Sequence, residues 1–142
     1  MKKLFLLVLV CAFTLSCSSD DSSIVYSESS LIGKWYLSGG SINGGLFEPY
    51  IHDCSEKKDF QEFFATHKLT FNSYDSTCDL TDTETSDWKL SGDKLTISST
   101  NFDPMIYSYE YVIKKLTSTE LILEMSGKTP EGIILMQTKF VK

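Results

Sequence analysis

The chain has 142 residues, 13 basic and 19 acidic, for a formal net charge of −6. Every basic residue is a lysine, so the rigid donor fork that arginine brings to phosphate is missing, and nucleic acid is not an expected partner. The length suits a single domain, and the 42% hydrophobic content is ample for a core.

The first segment reads as an address rather than as part of a fold. Lys2 and Lys3 precede an apolar run at 4–15 and a small residue, Ser16, which is the order of a secretory signal peptide. The run is too short for a bilayer span, which takes about 20 residues. The Ser16-Cys17 junction resembles the cleavage box of bacterial lipoproteins, in which the cysteine is lipidated and becomes the first mature residue. That pattern usually has leucine three positions before the cysteine, where this chain has Thr14. Cys11 fits worse, because Val10 before it is too large for the cleavage site. The expected organisation is a signal peptide at 1–16, a lipidated Cys17 with a flexible tether at 17–30, and one folded domain at 31–142. Each buried CH₂ of an acyl chain contributes about 0.8 kcal/mol, and the three chains that the resemblance implies make a permanent membrane anchor. Ser18-Ser19-Asp20-Asp21 is similar to the acidic tag that sends lipoproteins of Bacteroidota-type bacteria to the surface, although any solvated tether has such a composition. The outer membrane is the expected location, with the cell surface and the periplasmic face both open. Losing Lys2 and Lys3 leaves 11 basic residues against 19 acidic ones, so the charge moves from −6 to −8.

Of the four cysteines, Cys11 leaves with the leader and Cys17 takes lipid. Cys54 and Cys78 remain in an oxidising compartment and are expected to pair. The bridge closes a loop of about 24 residues and stabilises by roughly 3 kcal/mol on the chain-entropy account. A metal site using these cysteines with His52 or His67 lacks standard ligand spacing, and no metal or other cofactor is expected.

Beyond the tether, short β segments follow one another. Ile24, Val25 and Tyr26 interrupt the tether, either as a short edge strand or without order. A first strand at 31–37 contains Gly33-Lys34-Trp35. The glycine-rich stretch 39–45 reads as a turn or open loop, and 46–52 as a second strand with Pro49 at an edge or bend. In 57–67, Phe60, Phe63, Phe64 and His67 fall at i, i+3, i+4 and i+7, one face of a short helix, with an extended reading in competition. Alternation rules from Lys68 onward, with a turn at 72–75. Ser91-Gly92-Asp93 sits between two alternating runs, the clearest hairpin in the chain. Tyr107, Tyr109, Tyr111 and Ile113 share one face of a long strand. Leu121, Leu123 and Met125 share a face of the next, residues 127–132 form the last turn, and Ile134, Met136, Thr138 and Phe140 share a face of the final strand. About eight or nine strands at roughly 8–12-residue spacing signal an all-β barrel or sandwich. With no crossover helices between strands, a parallel sheet is not expected.

Gly33-Lys34-Trp35, opening the first strand, resembles the G-x-W signature of lipocalins. The stretches 87–97, around Trp88, and 113–123 resemble the lipocalin-like domain lipoproteins of Bacteroidota-type bacteria. The resemblance covers residues 31–142. It implies an antiparallel up-and-down barrel of about eight strands, in which Gly33, Trp35 and Trp88 are structural and the early tryptophan packs across the closed end. It departs at 72–75, where the family often has a glycine turn, and at 56–66, which reads as an insertion after Cys54.

An eight-stranded barrel is either filled by side chains or holds one small ligand. The candidate lining is Phe71, Leu95, Ile97, Tyr107, Tyr109, Tyr111, Leu123 and Met136, suited to a small lipophilic or aromatic molecule. The competing reading makes these residues a filled core and the domain a protein-interaction module or accessory subunit of an envelope complex. Its docking patch would be Phe47, Tyr50, Phe60, Phe63 and Phe64. No catalytic residues are assigned. His52 and Asp53 are adjacent on an extended segment and point to opposite faces. Asp75, Asp79, Asp82 and Glu84 around Cys78 lack a calcium-loop spacing and read as a solvated acidic rim.

Overall fold

The computed structural model describes residues 25–102 and 105–142. The leader, Cys17 and most of the tether lie outside the described residues. A one-turn helix, α1 (Glu28–Leu31), leads into the strands β1 (Gly33–Ile42), β2 (Glu48–Pro49), β3 (Phe60–Phe63), β4 (Lys68–Tyr74), β5 (Leu80–Ser91), β6 (Lys94–Phe102), β7 (Met105–Leu116), β8 (Glu120–Thr129) and β9 (Gly132–Val141). Eight of them, all but β2, pair antiparallel in chain order, and β9 closes the ring on β1 from Tyr36↔Val141 to Ile42↔Met136. Closure removes the free edges that an open sheet would expose. β3 pairs only the first part of β1, Gly33 to Tyr36, and β2 takes Gly39 and Gly40 further along the same edge.

Alternation sets which side chains enter the barrel, because successive residues of a strand face opposite sides. Trp35, Phe63, Leu69, Trp88, Leu95, Ile113, Leu121, Leu123 and Phe140 form the buried core. They come from the starts of β1, β4, β6 and β8 and from the ends of β3, β5, β7 and β9, so all lie at one end of the barrel. Leu31, from α1, is fully buried with them and closes that end. Burying each such side chain contributes roughly 1.5–3 kcal/mol, which is what drives a chain with short turns into this shape.

Four local expectations are corrected and one alternative is settled. Of the helical and extended readings of 57–67, the extended one holds. Phe60–Phe63 is β3, flanked on both sides by pairs such as Lys34↔Glu62 and Glu62↔Thr70. The helical spacing of the phenylalanines was misleading: Phe63 points into the core, while Phe60 packs on the Tyr36 ring with centroids 5.9 Å apart. The second strand shrinks from 46–52 to two residues. The glycine stretch does not break β1, which runs on to Ile42. Its glycines are needed because backbone approaches closely: a Cβ on Gly39 would collide with the Glu48 carbonyl, and one on Gly40 would lie 2.9 Å from the Gln137 carbonyl oxygen. The turn expected at 72–75 falls later, since β4 continues to Tyr74, and the last turn expected at 127–132 narrows to 130–131, since β8 runs to Thr129 and pairs it with Gly132. Among the alternatives for the tether, Val25 and Tyr26 form no strand, and Tyr26 instead packs against the core and donates its N–H to the Gly92 carbonyl (3.3 Å).

Candidate ligand-binding site

The closed end is sealed by paired polar groups as well as by packing. Trp35 Nε1 donates to the Leu31 carbonyl at 2.6 Å, and Lys142 Nζ sits 4.3 Å from the Trp35 ring centre while donating to the Ile32 carbonyl at 3.2 Å. Trp88 Nε1 is shared between the carbonyls of Phe64 and Lys68, at 3.2 and 3.1 Å, and its ring meets Phe63 edge-on at 5.6 Å. Both tryptophans are buried among these contacts. Gly33 takes φ +112 at the start of β1, a conformation that favours glycine.

Towards the other end the barrel is hollow. A cavity of about 190 Å³ lies among β3 to β7, faced by Phe71, Ile97, Tyr109 and Tyr111, with Gln61, Leu69, Glu84, Ser86 and Ser99 completing the wall. Register explains the grouping: Gln61↔Phe71, Phe71↔Glu84, Ser86↔Ser99 and Ile97↔Tyr109 are cross-strand partners, so each pair shares a face. Gln61 is only 6% exposed, and its side-chain nitrogen has no hydrogen-bond partner among the described residues. Burial, with Tyr109 beside it, raises the Tyr111 phenol above its ordinary value of 10.0, so that group stays neutral at physiological pH. No lysine among the described residues lines this space.

A wider groove of about 750 Å³ lies between β1, β9 and the segment 45–50, with Leu37, Ile42, Leu46, Tyr50 and Met136 on its walls. Ser41 also lines it, 6% exposed, and its Oγ is the second buried side-chain polar atom without a partner among the described residues.

The open end is held in shape by the 50–59 segment. Cys54 and Cys78 form the expected disulfide, with Cα atoms 4.9 Å apart, tying that segment to the β4–β5 turn. Buried Asp59 anchors it. The Asp59 carboxylate accepts from Tyr50 Oη (2.8 Å) and from the Tyr74 N–H (2.9 Å), its own N–H donates to His52 Nδ1 (3.0 Å), and its carbonyl accepts from the Leu37 N–H (3.1 Å). The hydrogen bond to Asp59, more than burial, raises the Tyr50 phenol above 10.0. The Asp75 carboxyl is lowered by bonds from Thr77 and Asp79, a local turn.

The expected lining residues therefore divide. Phe71, Ile97, Tyr109 and Tyr111 meet at the inner cavity, Met136 faces the wider groove, and Leu95 and Leu123 belong to the sealed core. Tyr107 lies at the rim, 44% exposed. The aromatic patch at 47–64 is not one surface, since Phe63 is core and Phe60 packs on Tyr36. Sequence reading missed Gln61 and Asp59. Gln61 shares an inward face with Phe63, two residues on, and that signal was hidden by the helical reading of the segment.

The profile of the lipocalin-like domain family matches residues 31–123. The chain belongs to the lipocalin-like domain family. Among solved structures it is similar to a lipocalin-like protein from Bacteroides uniformis, at 18% identity and TM-score 0.56, covering 80% of this chain and 98% of that one. An uncharacterized protein from Bacteroides eggerthii matches at 13% identity and TM-score 0.57, covering 79% and 98%. Lobster apocrustacyanin A1 matches at 15% identity and TM-score 0.55, covering 82% of this chain and 62% of that one. At these identities the likeness establishes the lipocalin-like fold. No curated protein matches the chain.

Proposed function

We propose that this lipocalin-like chain is a membrane-anchored lipoprotein that binds a small lipophilic or aromatic molecule in the open half of its barrel. The observation that carries the reading is the contrast along one barrel: Trp35, Phe63 and Leu121 fill the closed half, while about 190 Å³ stays empty among Phe71, Ile97, Tyr109 and Tyr111. Apolar walls with a few convergent polar groups are what small-molecule sites share. Non-catalytic binding is favoured by the placement of the histidines away from this cavity. His52 is bound to Asp59, and His67 lies against Glu28 and Trp88. The anchor is argued from the Cys17 junction, with the outer membrane as its site. Native mass spectrometry of the chain after exposure to an envelope lipid extract tests the reading. A retained species of discrete mass supports it, and a clean apo mass counts against it. Loss of acyl mass and release into the soluble fraction in Cys17→Ala tests the anchor separately.

A second reading, docking to a protein of an envelope complex, is favoured by the apolar rim. Leu46 is 92% exposed, Ile42 63% and Ile133 67%, and Asn43 bonds to Leu135 through both its backbone and its side chain. Loss of a co-purifying partner in Leu46→Glu, with the small-molecule adduct retained, would select this reading.

A further inference from the structure

We infer that the occupant of the inner cavity is an uncharged molecule about the size of a single ring, that it presents a hydrogen-bond acceptor to Gln61, and that fatty acids and other anionic lipids are refused. The inference rests on the binding function proposed above and narrows its ligand class.

Size is the first argument. The cavity holds about 190 Å³, below the roughly 300–1,000 Å³ of ordinary ligand pockets and close to the roughly 150 Å³ that admits benzene in an engineered core. Three rings face it, Phe71, Tyr109 and Tyr111, and aromatic faces and edges favour a planar guest. A long acyl chain does not fit such a volume.

Gln61 supplies the polar requirement. It is 6% exposed, lines the cavity, and its Nε2 has no acceptor. A buried donor left unpaired is costly, and nearly all such groups in folded proteins have a partner. Its cross-strand neighbours are Trp35 and Phe71, neither of which offers a side-chain acceptor. A carbonyl, ether or hydroxyl oxygen on the guest meets the need.

Charge decides against anions. Among the described residues, Glu84 is the one carboxylate on the cavity wall, and no lysine or histidine lines it. A carboxylate or phosphate brought here would be desolvated without a counter-charge, beside a like charge.

The test is an NMR titration of the full chain with acetophenone, toluene, benzoate and decanoate, reading the Gln61 side-chain amide and the ring resonances of Tyr109 and Tyr111. Acetophenone is expected to shift both. Benzoate and decanoate are expected to bind at least about tenfold more weakly, a factor corresponding to one lost charge-compatible contact. In Gln61→Met the affinity for acetophenone is expected to fall about tenfold, while that for toluene holds or rises. Benzoate binding as tightly as acetophenone would overturn the inference, as would equal effects of Gln61→Met on acetophenone and toluene. The wild-type ranking of the four probes needs no variant, so a misfolded Gln61→Met still leaves a decision. Decanoate occupying the cavity where acetophenone fails would overturn the ligand class and leave the binding function standing. If none of the four shifts these resonances, both fail and the site holds water alone.

Discussion

Lys142 and Trp35 close one end of the barrel together: the ammonium lies 4.3 Å from the indole ring centre and its hydrogen bond to the Ile32 carbonyl fixes it there. Cation–π contacts at accessible sites contribute about 0.5–1 kcal/mol. Lys142→Met is therefore expected to lower stability by about that amount in urea denaturation, whereas Trp35→Ala, which opens a cavity in the core, is expected to cost about 3–5 kcal/mol.

Phe63 and Leu46 separate the core from the rim. Phe63 is 1% exposed and Leu46 92%. Phe63→Glu puts an unpaired carboxylate into the sealed end and is expected to abolish cooperative unfolding at ambient temperature, since uncompensated buried charge costs several kcal/mol. Leu46→Glu is expected to change stability by no more than about 0.5 kcal/mol. Circular dichroism melts of the two variants give the comparison.

The disulfide spans 24 residues of sequence. Double replacement by serine is expected to cost about 3 kcal/mol through the freed unfolded chain. The loss should appear with faster hydrogen exchange at Asp59 and Tyr74, whose bonds hold the 50–59 segment to β4.

How much was legible in the sequence follows from where physical signals are local. The strands β6 to β9 and the end of β5 around Trp88 were readable, because Trp88, Leu95, Ile97, Tyr109, Tyr111, Leu121 and Leu123 alternate with polar residues and short turns separate the runs. The disulfide followed from compartment and cysteine count. Residues 39–52 are misread, and 57–63 stay open between helix and strand, because their conformation is imposed from elsewhere. Gly39 and Gly40 stay extended only because β2 and β9 pair with them, and the Phe60–Phe63 spacing suits a helix until β1 and β4 claim both edges. In the candidate site, Phe71, Ile97, Tyr109 and Tyr111 were found by face. Leu95 and Leu123 share that face but sit deeper, and depth along a barrel has no period in the sequence. Asp59 carries no pattern at all, since its partners are 9 and 15 residues away in irregular or unrelated segments.

Alkaline pH should weaken the fold. Tyr50 and Tyr111 both have phenols raised above 10.0, the first by its bond to Asp59 and the second by burial. The unfolded state then releases these protons first. Their contribution to stability is complete below pH 10 and is lost as pH rises through the folded values. Chemical denaturation at a series of pH values, with phenolate absorbance as a parallel readout, should show the decline. It should be shallower in Tyr50→Phe and in Tyr111→Phe.

Filling the hollow of the barrel with a side chain should remove its capacity to bind. Ile97 faces the cavity between Trp88 and Tyr109, so Ile97→Trp occupies the space with a side chain. Toluene titrated into the wild-type chain as an apolar probe, followed through the ring resonances of Tyr109 and Tyr111, is expected to bind with about 1:1 stoichiometry, as suits a barrel of this size holding one small ligand. Ile97→Trp is expected to abolish that binding while the strand content stays unchanged. A wild-type chain that binds no probe, or a folded Ile97→Trp that binds it equally well, would contradict the account.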